Sequence, residues 1–152
     1  MAKFITTISC IDSLAAALNS SVDLAATVSL AFPGKTLKYW IGIDEMQKPQ
    51  LVDAPLLVLM PSQFGRNAQR TEQVHGIQLA LIIEQESTTN TGNITKHTAL
   101  ETVERLSRKI DECLETWIEN NFQDGYAKSF FVPSLAIPAA KVVWTYEFSD
   151  QN

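Results

Sequence analysis

The feature that most constrains this chain is a helical stripe in its last third. Ala99, Leu100, Val103, Leu106, Ile110, Cys113, Leu114, Trp117 and Ile118 recur at three- and four-residue steps, the spacing that puts side chains on one face of an α-helix. The opposite face carries Glu101, Glu104, Arg105, Arg108, Lys109, Asp111, Glu112, Glu115 and Glu119. Glu101 with Arg105, and Glu104 with Arg108, stand four residues apart and support the helix. Thr98 followed by Glu101 reads as a capping box, and Gly125 lies just past the expected end near residues 120–121. At about 1.5–3 kcal/mol for each fully buried large side chain, this stripe supplies the main ridge of the core.

The remaining patterns predict what the helix lies on. A short helix is expected over about residues 10–20, from the three- and four-residue spacing of Ile8, Ile11, Leu14, Ala15 and Leu18. Val22, Leu24, Ala26, Val28, Leu30 and Phe32 alternate with Asp23, Ala25, Thr27, Ser29 and Ala31, which predicts a half-buried strand. Leu37, Tyr39, Ile41 and Ile43 alternate in the same way, so the two runs predict an antiparallel hairpin across Pro33 and Gly34. The run from Pro55 to Pro61 is short, apolar and framed by prolines, and fits a strand buried on both faces. Residues 62–73 read as a loop or splayed hairpin tip, and Val74 to Glu86 as a strand. Ser87 to Asn93 has the chemistry of a flexible connector. Residues 122–138 read as a loop or broken edge strand, and Lys141 to Phe148 as a final strand with an aromatic face. This order predicts one α+β domain over residues 1–152. A mainly antiparallel sheet is covered on one face by a short N-terminal helix and one long amphipathic helix.

Composition narrows the function. The 152 residues carry 12 Lys and Arg against 17 Asp and Glu, a net charge of -5, which argues against a duplex-binding module that needs a basic face. Seven acidic and three basic side chains fall within residues 99–124, so most of this charge sits on one segment. The apolar runs are too short to span a bilayer, and the N-terminus lacks the long apolar core of a signal peptide. Neither secretion nor a membrane partner is expected.

The chain offers little reactive chemistry. His75 and His97 lack a neighbouring cysteine and read as surface histidines. Cys113, on the apolar stripe, reads as a buried structural thiol. Cys10 lies near a helix start, where a thiol pKa can fall. No ligand spacing predicts a metal site, and Asp111, Glu112 and Glu115 read as a solvated acidic face. Gly34-Lys35-Thr36 lacks the second glycine of a phosphate-binding loop, since position 29 is serine. No catalytic residue, cofactor or metal is predicted, and an enzyme is disfavoured. Contact surface is predicted instead. Phe64, Arg66, Asn67 and Arg70 fall in the polar stretch 62–73, where arginine and aromatics suit an interface. Trp40 lies on the polar face of its strand, and of the adjacent Phe130 and Phe131 one is expected to pack inside and the other to meet a neighbour, with Phe131 taken as the interface candidate.

The size and element order, from about Ile8 to Phe148, resemble the tail terminator (tail completion) proteins of long-tailed bacteriophages. The features concerned are the short N-terminal helix, the Pro33-Gly34 turn, the strand between Pro55 and Pro61, the long loop, the Ile77–Ile83 strand, the long helix and the aromatic final strand. The resemblance implies a non-enzymatic virion protein, made in the bacterial host cytoplasm. It would form a homo-oligomeric ring, typically a hexamer, that caps the tail tube, ends tube polymerisation and presents the head-joining surface. Its partners would be itself, the tail tube protein and a head–tail connector protein, with DNA at most passing through. The alternatives are another phage neck or minor tail component, or a small ligand-binding or regulatory module.

Overall fold

A computed structural model describes residues 4, 6–44, 46, 49–66, 72–122, 125–136 and 138–151. Two helices open the chain, α1 (Thr7–Asn19) and α2 (Val22–Ala31). Strand β1 (Lys38–Ile41), a 3-10 turn at Leu51–Asp53, and strands β2 (Leu56–Arg66) and β3 (Glu72–Glu84) follow. A small hairpin, β4 (Thr88–Thr91) and β5 (Ile94–His97), leads into α3 (Thr98–Asn121). Strands β6 (Tyr126–Lys128), β7 (Val132–Ala136) and β8 (Ala139–Gln151) complete the chain. The main sheet has the order β1–β2–β3–β8–β6, with β7 also paired to β8. Its β1–β2 pairing is parallel and the others are antiparallel. The fold is therefore α+β, built on a mainly antiparallel sheet.

The long helix forms where the stripe places it. Val103, Leu106, Ile110, Leu114 and Ile118 are buried against the sheet side that carries Leu79, Leu81, Val142, Trp144 and Tyr146. Leu100 stands at the stripe's rim and is partly exposed, and Cys113 and Trp117 are half-buried. The start differs from the predicted capping box. His97 is the cap residue and makes no side-chain cap bond. Thr98 is inside the helix, with its hydroxyl turned to Ser87, and Glu101 pairs with Lys96 at 3.0 Å. The first helix starts earlier than expected, because Thr6 and Ser9 form a reciprocal capping box.

Residues 22–31 are a helix, not the predicted strand, and the predicted hairpin across Pro33 does not form. Leu24 and Val28, four residues apart, are the buried pair, while Val22 and Leu30 point to solvent. A four-residue spacing satisfies an alternating pattern as well, so the alternation did not distinguish the two. Ser21 then decides locally, accepting the Leu24 N–H at 3.2 Å as a helix cap. Pro33 and Gly34 follow the helix end, and β1 pairs with β2 instead of with residues 22–32.

The prolines framing residues 55–61 do enclose a doubly buried strand: Leu56, Leu57, Val58 and Leu59 are all buried. However, β2 continues to Arg66, so residues 62–66 are strand and not loop. Ser87 to Asn93 is also more ordered than a connector. Thr88–Thr91 pairs with Ile94–His97 around a two-residue loop, with Gly92 at a positive φ of 61°, the backbone that tight hairpin loops need. The broken edge strand expected in residues 122–138 is present as β6 and β7, both on the outer edge of β8.

One irregularity controls the far end of the sheet. Pro61 pairs with Ile77, but the next partners are Gln63 and Gly76, so Ser62 is an extra residue in β2. Such a bulge reverses which side chains face which side. Leu57, Leu59 and Pro61 face the helices before it, and Phe64 and Arg66 do so after it, in register with His75 and Gln73. Gly76 permits this, because a Cβ there would lie 2.4 Å from Ser62 Oγ and 2.6 Å from Gln63 Cγ.

Two substitutions test this account. Ile110→Asp should leave the chain unfolded, since an unpaired buried charge costs several kcal/mol against a total stability of about 5–15 kcal/mol; circular dichroism with a native melting transition would contradict the packing. Gly76→Ala should lower stability in urea by about 1–3 kcal/mol, and an unchanged midpoint would show that the bulge does not need the glycine.

Candidate functional site

Beyond the bulge, the sheet outruns its helical cover. β2 and β3 stay paired to Arg66 and Gln73, and β8 follows β3 to its last described position. On the helix side, α1 begins only at Thr7. Between the start of α1 and the sheet lies a cleft of about 500 Å³. Ile8, Pro61, Phe64 and Val74 give it apolar walls, and Arg66 and His75 add polar groups. Phe64 is 76% exposed and Ile8 46% exposed, so two large apolar side chains of this cleft face water.

The cleft is electrostatically one-sided. None of the described residues that line it is acidic. The first turn of α1 holds no acidic residue of its own; the carboxylate near it is that of Asp150, which accepts the Phe4 N–H just before the helix and acts on Cys10 from behind the cleft. Arg66 makes no ion pair among the described residues.

His75 forms the inner boundary. It was expected at the surface, yet only 2% of it is exposed. Its Nδ1 shares a hydrogen bond with Thr7 Oγ1 at 2.8 Å, which ties β3 to the start of α1. Its Nε2 lies 3.8 Å from Asp150 Oδ2, beyond hydrogen-bonding distance. The same Asp150 oxygen accepts the Phe4 N–H at 2.7 Å. Burial lowers the His75 pKa, and the Asp150 carboxylate acts in the opposite direction. Cys10 is wholly buried close by, and burial, with the Asp150 charge, pushes its thiol up to about 12. The activated thiol that a helix start could give is therefore not formed.

A second polar cluster holds the opposite edge of the sheet to α3. Asp111, expected on a solvated face, is buried and accepts the Tyr146 hydroxyl. Lys128 on β6 donates to Asp111 Oδ2 and to Glu115 Oε1, each at 2.6 Å. Burial opposes the Lys128 charge, but these two carboxylates outweigh it and raise the pKa. Burial and the Asp111 bond likewise raise the Tyr146 pKa. Of the expected acidic trio, only Glu112 stays on the outer surface, paired with Lys109 at 3.3 Å. Cys113 is half-buried, with its sulfur 3.8 Å from Ser21 Oγ.

The six predicted contact residues do not converge. Phe64 and Arg66 share the cleft. Asn67 and Arg70 lie outside the described residues. Trp40 is half-buried at the other edge of the sheet, on the face away from the helices, in a cross-strand row with Val58, Ala80 and Val143. Phe131 turns inward, with its ring centroid 5.0 Å from that of Trp144, and Phe130 stands 93% exposed. Both line a groove of about 450 Å³ between α3 and the β6–β7 link. Ile8 and His75 complete the cleft and were not predicted as contact residues; only the bulge brings them opposite Phe64. Among the described residues no group of His, Cys, Asp and Glu could hold a metal ion, and no single helix is long and apolar enough to cross a membrane. No protein-family model matches the chain, and no curated protein does.

The His75 environment gives a pH dependence. A histidine whose folded pKa lies below its unfolded value near 6.5 is protonated more readily in the unfolded chain. Stability should hold above that value and fall as pH drops below about 6.5 toward the lowered folded pKa. The melting temperature should therefore decline between pH 7 and pH 5 in the native chain and decline less in His75→Gln. Parallel curves for the two would remove His75 as the cause.

Proposed function

We propose that this chain is a structural assembly subunit of the tail terminator type, which forms a ring that caps a phage tail tube and presents a head-joining surface. The observation that carries this reading is the exposed end of the β2–β3 pair, where Phe64 and Ile8 face water over an apolar cleft. Exposed large apolar side chains over a concave surface mark sites of macromolecular contact. A closed ring needs two different patches per subunit. The Phe130 groove lies on the opposite edge of the fold and supplies a second exposed apolar surface. The β4–β5 hairpin, with exposed Ile94, adds a projecting arm, and isolated two-stranded hairpins are marginal in water without a partner. On this reading the partners are copies of itself, the tail tube protein and a head–tail connector protein.

One observation favours a second reading, a small ligand-binding module: the cleft volume lies within the range of small-molecule sites. Mass measurement separates the two. Multi-angle light scattering should give a ring-sized oligomer, or electron micrographs should show the chain closing the ends of tail tubes. A monomer that never assembles, alone or on tubes, would contradict the structural reading.

A further inference from the structure

The cleft has apolar walls and an arginine, and none of the described residues that line it is acidic. Its complement is a segment that carries exposed apolar side chains beside acidic ones. The chain itself contains such a segment in the connection between β1 and β2. Met46 is 90% exposed and Val52 76% exposed. Each stands next to a carboxylate in space or sequence: Asp44 accepts the Met46 N–H at 2.9 Å, and Asp53 follows Val52 and accepts the Gln50 N–H at 2.9 Å. Asp44 and Asp53 make no ion pair among the described residues. Residues 43–53 hold three acidic residues and one lysine.

The other acidic surface, the outer face of α3, is a poorer match. Most of its carboxylates are already paired within the subunit, Glu101 with Lys96, Glu104 with Arg108, Glu112 with Lys109 and Glu115 with Lys128. An exchange there would first break an existing ion pair. Asp44 and Asp53 would meet Arg66 without that cost.

We infer that the cleft beside Phe64 and Arg66 receives the β1–β2 connection of a second copy of this chain, with Met46 and Val52 on its apolar walls and Asp44 and Asp53 facing Arg66. The contact is heterologous, cleft to connection, so each subunit keeps one of each free for the next neighbour and the series can close. The inference rests on the ring reading and specifies its subunit contact.

A charge exchange tests it, read by sedimentation velocity of the purified full chain. Arg66→Glu should lower the assembled fraction at least about tenfold, because it sets like charges against each other. Asp44→Arg with Asp53→Arg should do the same. An equimolar mixture of the two variants should reassemble, since each then offers what the other lacks. Asp44→Asn with Asp53→Asn keeps acceptors for the Met46 and Gln50 N–H groups, so it should fold as the native chain does and still assemble less. Assembly of either charge-reversed variant at the native level would overturn the contact while leaving the ring intact. Failure of the mixture, with both variants folded by circular dichroism, would also overturn it. A native chain that stays monomeric, alone and with tubes, would remove the ring reading and this contact together.

Discussion

The structure depends on a mismatch in length between its two layers. β3 and β8 are each thirteen residues long and pair along their whole length. At about 3.3 Å per residue they extend roughly 40 Å. The apolar stripe of α3 and Ile11, Leu14 and Leu18 of α1 cover β3 from Ile77 to Ile83 and β8 from Ala140 to Phe148, and leave the Glu72 end of β3 beyond that core. Where the cover stops, the sheet goes on. The exposed cleft is thus a consequence of strand length and helix position, and it does not depend on a special loop.

Polar groups mark the two margins of the covered region. At one, Thr7 and His75 join the start of α1 to β3. At the other, Asp111, Tyr146, Lys128 and Glu115 join α3 to β8 and β6. Buried charges are tolerated when they are paired and hydrogen-bonded, and Asp111, which accepts from Tyr146 and Lys128, meets both conditions. Between these margins the packing is apolar and aromatic. Phe122 stacks on Phe148 at 4.5 Å and Phe131 on Trp144 at 5.0 Å. The acidic segment is consequently less acidic in effect than its composition suggests, since most of its carboxylates have a basic partner.

Legibility from the sequence follows the range of the deciding interaction. The α3 helix was readable because its stripe, its opposite face and its end all lie within one segment. The doubly buried strand at Leu56–Leu59 was readable from its framing prolines for the same reason. The α2 segment reads as a strand because alternation and a four-residue spacing coincide at Leu24 and Val28, and because the face that α2 buries is set by α3, far along the chain. Asp111 could not be assigned to the interior without knowing that Lys128 and Tyr146 fold onto it. Phe64 and Arg66 were identifiable as residue types suited to contact. That they face the helix side with Ile8 and His75 depends on a bulge opposite Gly76, a cross-strand event with no local signature.

If the uncovered end of the sheet is where subunits meet, its amides must change environment on assembly. Hydrogen–deuterium exchange compares the dispersed and assembled chain residue by residue. The account predicts slower exchange in the assembled state over residues 6–8, 62–66 and 72–75, with little change along the buried middle of β3. Unchanged exchange over those three segments in a chain that has assembled would place the contact elsewhere and contradict the account.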